Sequence, residues 1–425
     1  MSFTKAPVKG MCDILPADMR LRERVLGMIK KSYGASGFLL VETPAMEHIG
    51  NLTSRQGGDN EKLIFKVLKR GAELQRALDS GSGELADNGL RYDLTVPLAR
   101  YYANNRESLP SPFKSLQIGS VWRAESPQKG RFRQFTQCDI DILGDPSNLA
   151  EIELVAATAG MLSRIFEGVE GVTGLTVHLN DRRILRAAAL RAGFREEDVG
   201  SVLVSLDKLD KVGPGGVRDE MLANGLDGGA VDRYLAVYRD ASSSDSPSAF
   251  CARLGAEGAA GAGTAAAVEN LDDIMASVRP MLPAGVSLVF DPSLVRGMGY
   301  YTGPIFEVTL DGYGFAIAGG GRYDRMIGKF SGQDVPAAGF SIGFERIVTV
   351  LKDHAKAPER IPGEAVAFLL ASDLPRERRM EALREAAALR ASGATAIVQP
   401  MQKNLRRQIE LLEAEGYARF EKIRA

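Results

Sequence analysis

The sequence predicts an α+β protein carrying a helical insertion and a small α/β unit near its C-terminal end. Three observations carry this. Two alternating runs, 113–125 and 134–144, flank a short charged loop and read as one long hairpin. From about 182 to 283 strand patterns give way to short helical runs. Beyond 364, strand and helix patterns alternate at parallel-strand spacing.

A first helix is expected over about 17–34, where Met19, Leu21, Val25, Leu26, Met28 and Ile29 supply an apolar face and Gly37 punctuates the end. GFLLVETPAMEH reads as a strand stopping at Pro44. Residues 73–90, rich in Gly, Ser and Asp, are expected to form a loop or lid. After the hairpin, 148–168 reads as a helix and LTVHLN at 175–180 as a strand. RRILRAAALRAG opens the helical region, and an Ala/Gly/Ser-rich stretch at 241–267 reads as mobile. Strands resume at 286–291, 300–310 and 315–319, and a helix follows at about 343–352. APERIPGE reads as a linker; then come strand AVAFLLA, helix RERRMEALREAAALRAS, strand ATAIVQ, helix NLRRQIELLEAEG and strand ARFEKI.

The 425 residues suggest two to three domains with sizeable cores. A formal net charge of -1 leaves no global attraction to nucleic acid, so any such contact must be local. Three scattered cysteines, Cys12, Cys138 and Cys251, argue against a disulfide framework or a zinc site and fit a reducing compartment. The N-terminal residues lack the apolar run of a signal peptide, and no stretch suits a membrane span, so a cytoplasmic location is expected. The three histidines, His48, His178 and His354, each stand without the neighbours of a metal site or catalytic triad and read as structural. If the chain is an enzyme, its chemistry must run on arginines, carboxylates and tyrosines, which points to phosphate-centred work.

Four blocks carry that chemistry. In RYDLTVPLARYYA followed by SVWRAESPQKGRFRQFTQCDIDILG, Arg123 and Glu125 lie two residues apart on an expected strand and share a face. A guanidinium on a rigid strand suits a phosphate oxygen, which its planar fork binds bidentately. Lys129, Arg131 and Arg133 form a local basic patch, with Phe132 and Phe135 placed to stack on a base. By charge pattern alone, this is equally a solvated cationic hairpin. In PSLVRGMGYYTGPIFE, Arg296 precedes glycines that permit close backbone approach, although a plain turn into a strand would read alike. AIAGGGRYDRMIG places a glycine triplet between a strand and a polar run; it is no dinucleotide fingerprint. AAGFSIGFERIVTVL puts small residues before a helix bearing Glu345 and Arg346.

Together and in this order, the blocks resemble the class II aminoacyl-tRNA synthetases, specifically the histidyl-tRNA synthetase family. GFLLVETPAMEH resembles motif 1, VWRAE through RFRQF motif 2, and GFSIGFERI motif 3. LVRGMGYYTGPIFE and GGGRYD resemble the two histidine-specific signatures, and RYDLTVP with QCDIDILG the version shared by eukaryotes and some bacteria. The resemblance spans about 8–352 and, more weakly, the C-terminal unit. It implies an antiparallel sheet flanked by helices, a homodimer, ATP with Mg2+ as co-substrate, L-histidine and tRNA(His) as partners, and no protein nucleophile or resident metal.

Position by position, the resemblance implies that Arg123 and Arg296 bracket the α-phosphate and Arg346 reaches the outer phosphates. Glu125 would contact the adenine side and Phe135 stack on it. Asp93, Thr95 and Gln137 would hold the substrate α-amino group, while Asp141, Tyr300 and Tyr301 line the imidazole pocket and Tyr323 closes it. Gln128, Lys129 and Arg131 would face the tRNA acceptor end. The expected domains are a catalytic core of 1–182 and 284–354, a mostly helical insertion of 183–283, a linker of 355–363, and a partial anticodon-binding-like α/β domain of 364–425.

The chain departs from the family pattern twice. Met298-Gly299 replaces a Leu-Asp pair before Tyr300, which would loosen the loop holding Arg296. The C-terminal unit lacks the strands and helix that follow in the family, so weak anticodon reading is expected. Two other readings are a synthetase paralogue with altered duty and the non-catalytic regulatory subunit of ATP phosphoribosyltransferase. The latter tends to lose the ATP-handling arginines that stand here at 123, 296 and 346.

Overall fold

The computed structural model describes residues 3–53, 63–81, 83–126, 132–239, 246–254, 262–296, 299–355 and 361–424. The chain divides into two compact units: residues 1–11 with 28–351, and residues 12–27 with 352–425.

The chain opens with helix α1 (Pro16–Ala35), β1 (Leu39–Val41), β2 (Met46–His48) and the short α2 (Ile49–Leu52). β3 (Lys66–Leu68), α3 (Gly71–Asp79), β4 (Ala86–Leu90) and α4 (Thr95–Asn105) follow. The expectation of a loop over 73–90 is corrected here. GAELQRALD is a run of helix formers and winds into α3, while ADNGL pairs as β4 between β2 and β3 in a separate small sheet.

The expected hairpin is β5 (Phe113–Trp122) and β6 (Gln134–Leu143), paired antiparallel without a register shift from Phe113 opposite Leu143 to Trp122 opposite Gln134. α5 (Leu149–Phe166) and β7 (Leu175–Asp181) lead into the helical stretch. There α6 (Arg182–Ala192), α7 (Val199–Leu206), α8 (Leu209–Ala223), α9 (Gly228–Arg239), α10 (Pro247–Arg253) and α11 (Ala262–Val278) pack on one another. Parts of the Ala/Gly/Ser-rich stretch, 241–245 and 255–261, lie outside the described residues. β8 (Val286–Phe290), β9 (Pro304–Leu310), β10 (Ala316–Arg322), α12 (Gly328–Ser331), β11 (Ala337–Ile342) and α13 (Phe344–His354) complete this part of the chain.

Eight strands form the main sheet in the order β1-β5-β6-β11-β10-β9-β7-β8. Its centre, from β5 to β7, is antiparallel, and the β1–β5 and β7–β8 edge pairs are parallel. Helix α5 packs against β6, β11, β7 and β9. Its apolar residues Leu154, Val155 and Leu162 are almost fully buried, as are Cys138, Ile140 and Ile142 on alternate positions of β6. The intervening positions carry Phe135, Gln137, Asp139, Asp141 and, at the strand's end, Leu143, all on the opposite face.

Two strand boundaries differ from expectation. β9 starts at Pro304, so Tyr300 and Tyr301 precede the strand rather than open it. The glycine triplet lies inside β10 and not after it. Glycine is a poor strand former, and what sits over it supplies the reason below.

In the second unit, β12 (Ala365–Leu370) lies between β13 (Thr395–Pro400) and β14 (Arg419–Ile423) in an all-parallel sheet. The helices are α14 (Arg376–Ala391) and α15 (Leu405–Glu415). β12 is buried along its whole length. Val366, Phe368 and Leu370 pack with Ala382 and Ala386 of α14, and Ala365, Ala367 and Leu369 with Leu412 and Tyr417. Burial on both faces is what makes AVAFLL a continuous apolar run.

Candidate active site

The open face of β6 is the floor of the site. Gln137, Asp139 and Asp141 point from it, each less than a tenth exposed. On the flanking strands, Asp141 faces Ser115 and Gly339, and Asp139 faces Gln117 and Ser341. Gly339 is required here: a Cβ at that position would stand 2.0 Å from Asp141 Oδ1. Tyr323, directly after β10, donates its hydroxyl to Asp141 Oδ1 at 2.5 Å. Gln137 Nε2 donates to Ser341 Oγ at 2.8 Å.

Asp93 enters from the turn before α4, where its Oδ1 accepts from the Val96 amide at 3.1 Å. Its neighbour Thr95 is the first residue of α4. Burial pushes the Asp93 carboxyl up to about 6, against the pull of the Val96 amide and Arg123. Burial likewise lifts Asp141 to about 7, with the Tyr323 hydroxyl opposing and Asp93 adding to the rise. Asp139 is driven well above the carboxylate range by burial first and by Asp141 second. Three carboxyls in one water-poor site resist ionising together unless a cation joins them.

The aromatic wall is Tyr300, Tyr301 and Tyr323. The rings of Tyr300 and Tyr301 lie 4.7 Å apart and those of Tyr300 and Tyr323 6.0 Å apart. Arg296 stands beside them, ion-paired with Glu307 of β9. Its guanidinium lies over Gly319: a Cβ there would come within 2.4 Å of Arg296 Nη1 and 2.5 Å of Cζ. Gly319 therefore makes room for an arginine over the sheet, while Gly320 and Gly321 make room for Gly339 O and Phe306, and for Pro304 O and Tyr301. Gly297 and Met298 lie outside the described residues, and Gly299 is exposed.

Arg123 follows directly on β5. The strand ends at Trp122, which corrects the expectation that Arg123 and Glu125 share a strand face; past Trp122 the hairpin opens, and one further bond, Arg123 N–H to Arg133 O at 2.9 Å, continues the ladder. Arg123 is held all the same: its Nε donates to Tyr92 O at 3.0 Å, and its guanidinium lies over the Phe135 ring at 5.1 Å. Glu125 is half-buried, and its carbonyl accepts from Arg133 Nε at 3.0 Å. Arg133 also donates its backbone amide to Gly10 O, so it fastens the N-terminal segment rather than only adding to a basic patch. Arg346, in the first turn of α13, donates to Ala316 O and covers Phe315 at 5.4 Å. Gln128, Lys129 and Arg131 lie outside the described residues.

Among the described residues, six buried side-chain atoms have no hydrogen-bond partner, and five of them belong to this site: Asp93 Oδ2, Gln137 Oε1, Asp139 Oδ1, Asp141 Oδ2 and Arg296 Nε. The sixth, Ser115 Oγ, flanks Asp141. Buried polar atoms are normally satisfied, so such a cluster marks a place built for a polar ligand. That ligand must offer several donors to four acceptor oxygens and an acceptor to one guanidinium. No group of three or more His, Cys, Asp or Glu side chains among the described residues is placed to hold a metal ion. His178 is a structural residue, with Nδ1 3.0 Å from Asp291 and Nε2 2.9 Å from Thr309.

The sequence model of the histidyl-tRNA synthetase family matches residues 10–347. The chain belongs to the histidyl-tRNA synthetase family. A histidine–tRNA ligase of Leifsonia xyli is 44% identical over 99% of the chain and 95% of its own length. That of Aeropyrum pernix is 38% identical over 80% of the chain and 73% of its length. The solved histidyl-tRNA synthetase of Nostoc sp. PCC 7120 superposes with a TM-score of 0.76 at 26% identity, covering 98% of this chain and 90% of that one. A Bacillus halodurans structure described as an ATP phosphoribosyltransferase regulatory subunit/histidyl-tRNA synthetase has the same fold, with a TM-score of 0.76 at 20% identity over both full chains. Asp139, Ser341 and Glu307 went unassigned by sequence reasoning, although the every-second-residue polar pattern of Gln137, Asp139 and Asp141 was a visible signal.

Proposed function

We propose that this chain is a histidine–tRNA ligase, which activates L-histidine with ATP and transfers it to tRNA(His). The observation that carries this is the set of unpaired acceptors on β6 and at Asp93, facing Arg296. Free histidine offers what they lack: an ammonium and an imidazole N–H as donors, and a carboxylate for a guanidinium. The arginines at 123, 296 and 346 favour this reading over a regulatory subunit without ATP chemistry.

In the first step a carboxylate oxygen of histidine attacks the α-phosphorus of ATP. The bond to the β-phosphate oxygen breaks and pyrophosphate leaves. Arg123 and Arg296 bracket the α-phosphate, and their contribution is positioning and stabilisation of the charge that grows there. Both are preorganised, Arg123 by Tyr92 O and Phe135 and Arg296 by Glu307 and the Gly319 surface. Phe135 and Glu125 serve the adenine, and Arg346 the outer phosphates. Mg2+ enters with ATP and neutralises phosphate charge. In the second step a hydroxyl of the tRNA 3′-terminal ribose attacks the acyl carbon and AMP leaves. Asp93, Thr95 and Gln137 hold the ammonium; Asp141, Tyr300, Tyr301 and Tyr323 hold the imidazole.

The reading extends to a cytoplasmic homodimer, with Gln128, Lys129 and Arg131 at the acceptor end. It divides the chain into a core of 1–182 and 284–354, an insertion of 183–283, a linker of 355–363, and an anticodon-binding-like domain of 364–425. The test is aminoacylation of tRNA(His) by the purified chain with labelled histidine. Acid-precipitable label dependent on both ATP and tRNA(His) supports the reading, and none overturns it.

A further inference from the structure

Asp139 has no role in the assignment above, yet it is built into the site as closely as the residues that do. It stands between Gln137 and Asp141 on the same face of β6 and is 3% exposed. On one side, Gln117 is engaged with Thr43 and Leu94. On the other, Ser341 Oγ accepts from Gln137 Nε2 at 2.8 Å and is also hydrogen-bonded to the Asp139 carboxyl. A hydroxyl has one proton to give. Since Ser341 accepts from Gln137, that proton goes to Asp139, and the one serine orients both side chains. What remains open is one oxygen on each, Gln137 Oε1 and Asp139 Oδ1, both fully buried.

The donor count then decides. The open acceptors are Asp93 Oδ2, Gln137 Oε1, Asp139 Oδ1 and Asp141 Oδ2. An ammonium carries three N–H donors, and a neutral imidazole one. Asp141 is tied to the tyrosine wall through Tyr323 and belongs with the ring. Asp93 and Gln137 bring two buried open acceptors to the ammonium; Thr95, the third residue assigned to it, is half-buried and brings no buried unpaired atom, so Asp139 Oδ1 is the remaining buried acceptor.

Resting on the histidine–tRNA ligase reading, we propose that Asp139 accepts the third hydrogen bond of the substrate α-ammonium through Oδ1, with Ser341 as the residue that positions it. The groups around it agree in sign. Asp93 and Asp141 are its acidic neighbours, Arg123 an opposing charge, and a bound ammonium supplies a cation among the three carboxyls. A substrate without the amine leaves Asp139 and Gln137 buried and unpaired, which penalises it far more than lost contact area would.

The experiment compares Asp139→Asn with the unaltered chain, using two competitors of histidine in ATP–pyrophosphate exchange. Histidinol keeps the amine and the ring; 3-(imidazol-4-yl)propanoate keeps the ring and carboxylate and lacks the amine. Asparagine keeps an acceptor oxygen but removes the negative charge facing the ammonium, and weakening such a charge-assisted bond costs about tenfold to a hundredfold in binding. The histidine KM and the histidinol inhibition constant should rise by that factor, while the ATP KM and the inhibition constant of the deaminated compound stay within about twofold. An equal rise for both competitors means a structural role and overturns the proposal. If Asp139→Asn fails to fold, Ser341→Ala takes its place, with a smaller rise of about twofold to tenfold and the same discrimination between competitors expected. An unaltered chain without histidine-dependent exchange would refute the ligase reading itself, a different outcome from an unselective Asp139 variant.

Discussion

Tyr323 donates its hydroxyl to Oδ1 of Asp141 at 2.5 Å, and so leaves Oδ2 as the one open acceptor of that carboxyl. In the proposed histidine pocket, the bond fixes which oxygen would meet the substrate ring. Replacing Asp141 by alanine removes the ring's partner and strands the Tyr323 hydroxyl. In pyrophosphate exchange, Asp141→Ala should raise the histidine KM by about a hundredfold or more and the ATP KM by no more than about threefold. Equal changes in both would place Asp141 outside the histidine pocket.

The same pair makes a pH prediction. Asp141 is raised from an ordinary value near 3.8 to about 7. Between these values the folded chain binds more protons at this site than the unfolded chain does, so stability from this group is full below about 4 and lost as pH rises through about 7. Asp93, Asp139 and Tyr300 face the same pocket, and the Tyr323 bond lowers the rise without abolishing it. Without histidine, Asp141→Asn should therefore gain in melting temperature over the unaltered chain between pH 5 and about 7.5. A constant difference across that range would show that Asp141 titrates normally.

Arg123 tests the phosphate side. It is seated by Tyr92 O and the Phe135 ring, so its removal takes away a preorganised charge without opening the core. Arg123→Ala should lower exchange by about 10²–10³-fold with a near-normal melting temperature. Exchange within a fewfold of normal would remove Arg123 from the chemistry.

Gly319 offers a steric counterpart. An alanine Cβ there would press into the Arg296 guanidinium, which cannot stay where Glu307 now holds it. A displacement of about an ångström of a positioned group costs about a hundredfold in rate. Gly319→Ala should show that loss in kcat while circular dichroism remains unchanged; full activity would mean that Arg296 works from another position.

The residues of this site are legible in the sequence through the resemblance of four ordered blocks to one family; taken singly, the arginine, tyrosine and glycine runs read as well as a turn or as packing. Arg296 with its tyrosines and the GGGRYD run were readable together; why the glycines were needed was not, since the guanidinium over Gly319 comes from a distant loop. Asp139 was passed over for a similar reason. Alternating polar residues on a strand also suit a solvent-facing side, and only the turn at Asp93 and the Tyr323 ring over Asp141 make that face a buried one. Helix α3 was hidden by composition: the Gly, Ser and Asp residues after Asp79 diluted a short run of strong helix formers.

The central claim is that the buried acceptors on β6, with Asp93 and Arg296, form a site for histidine in an ATP-dependent activation. Its most direct test is ATP–pyrophosphate exchange by the purified chain, with each of the common amino acids supplied in turn. Exchange that requires L-histidine and is not supported by the others is the expected result. Exchange with another amino acid, or none with histidine, would contradict it.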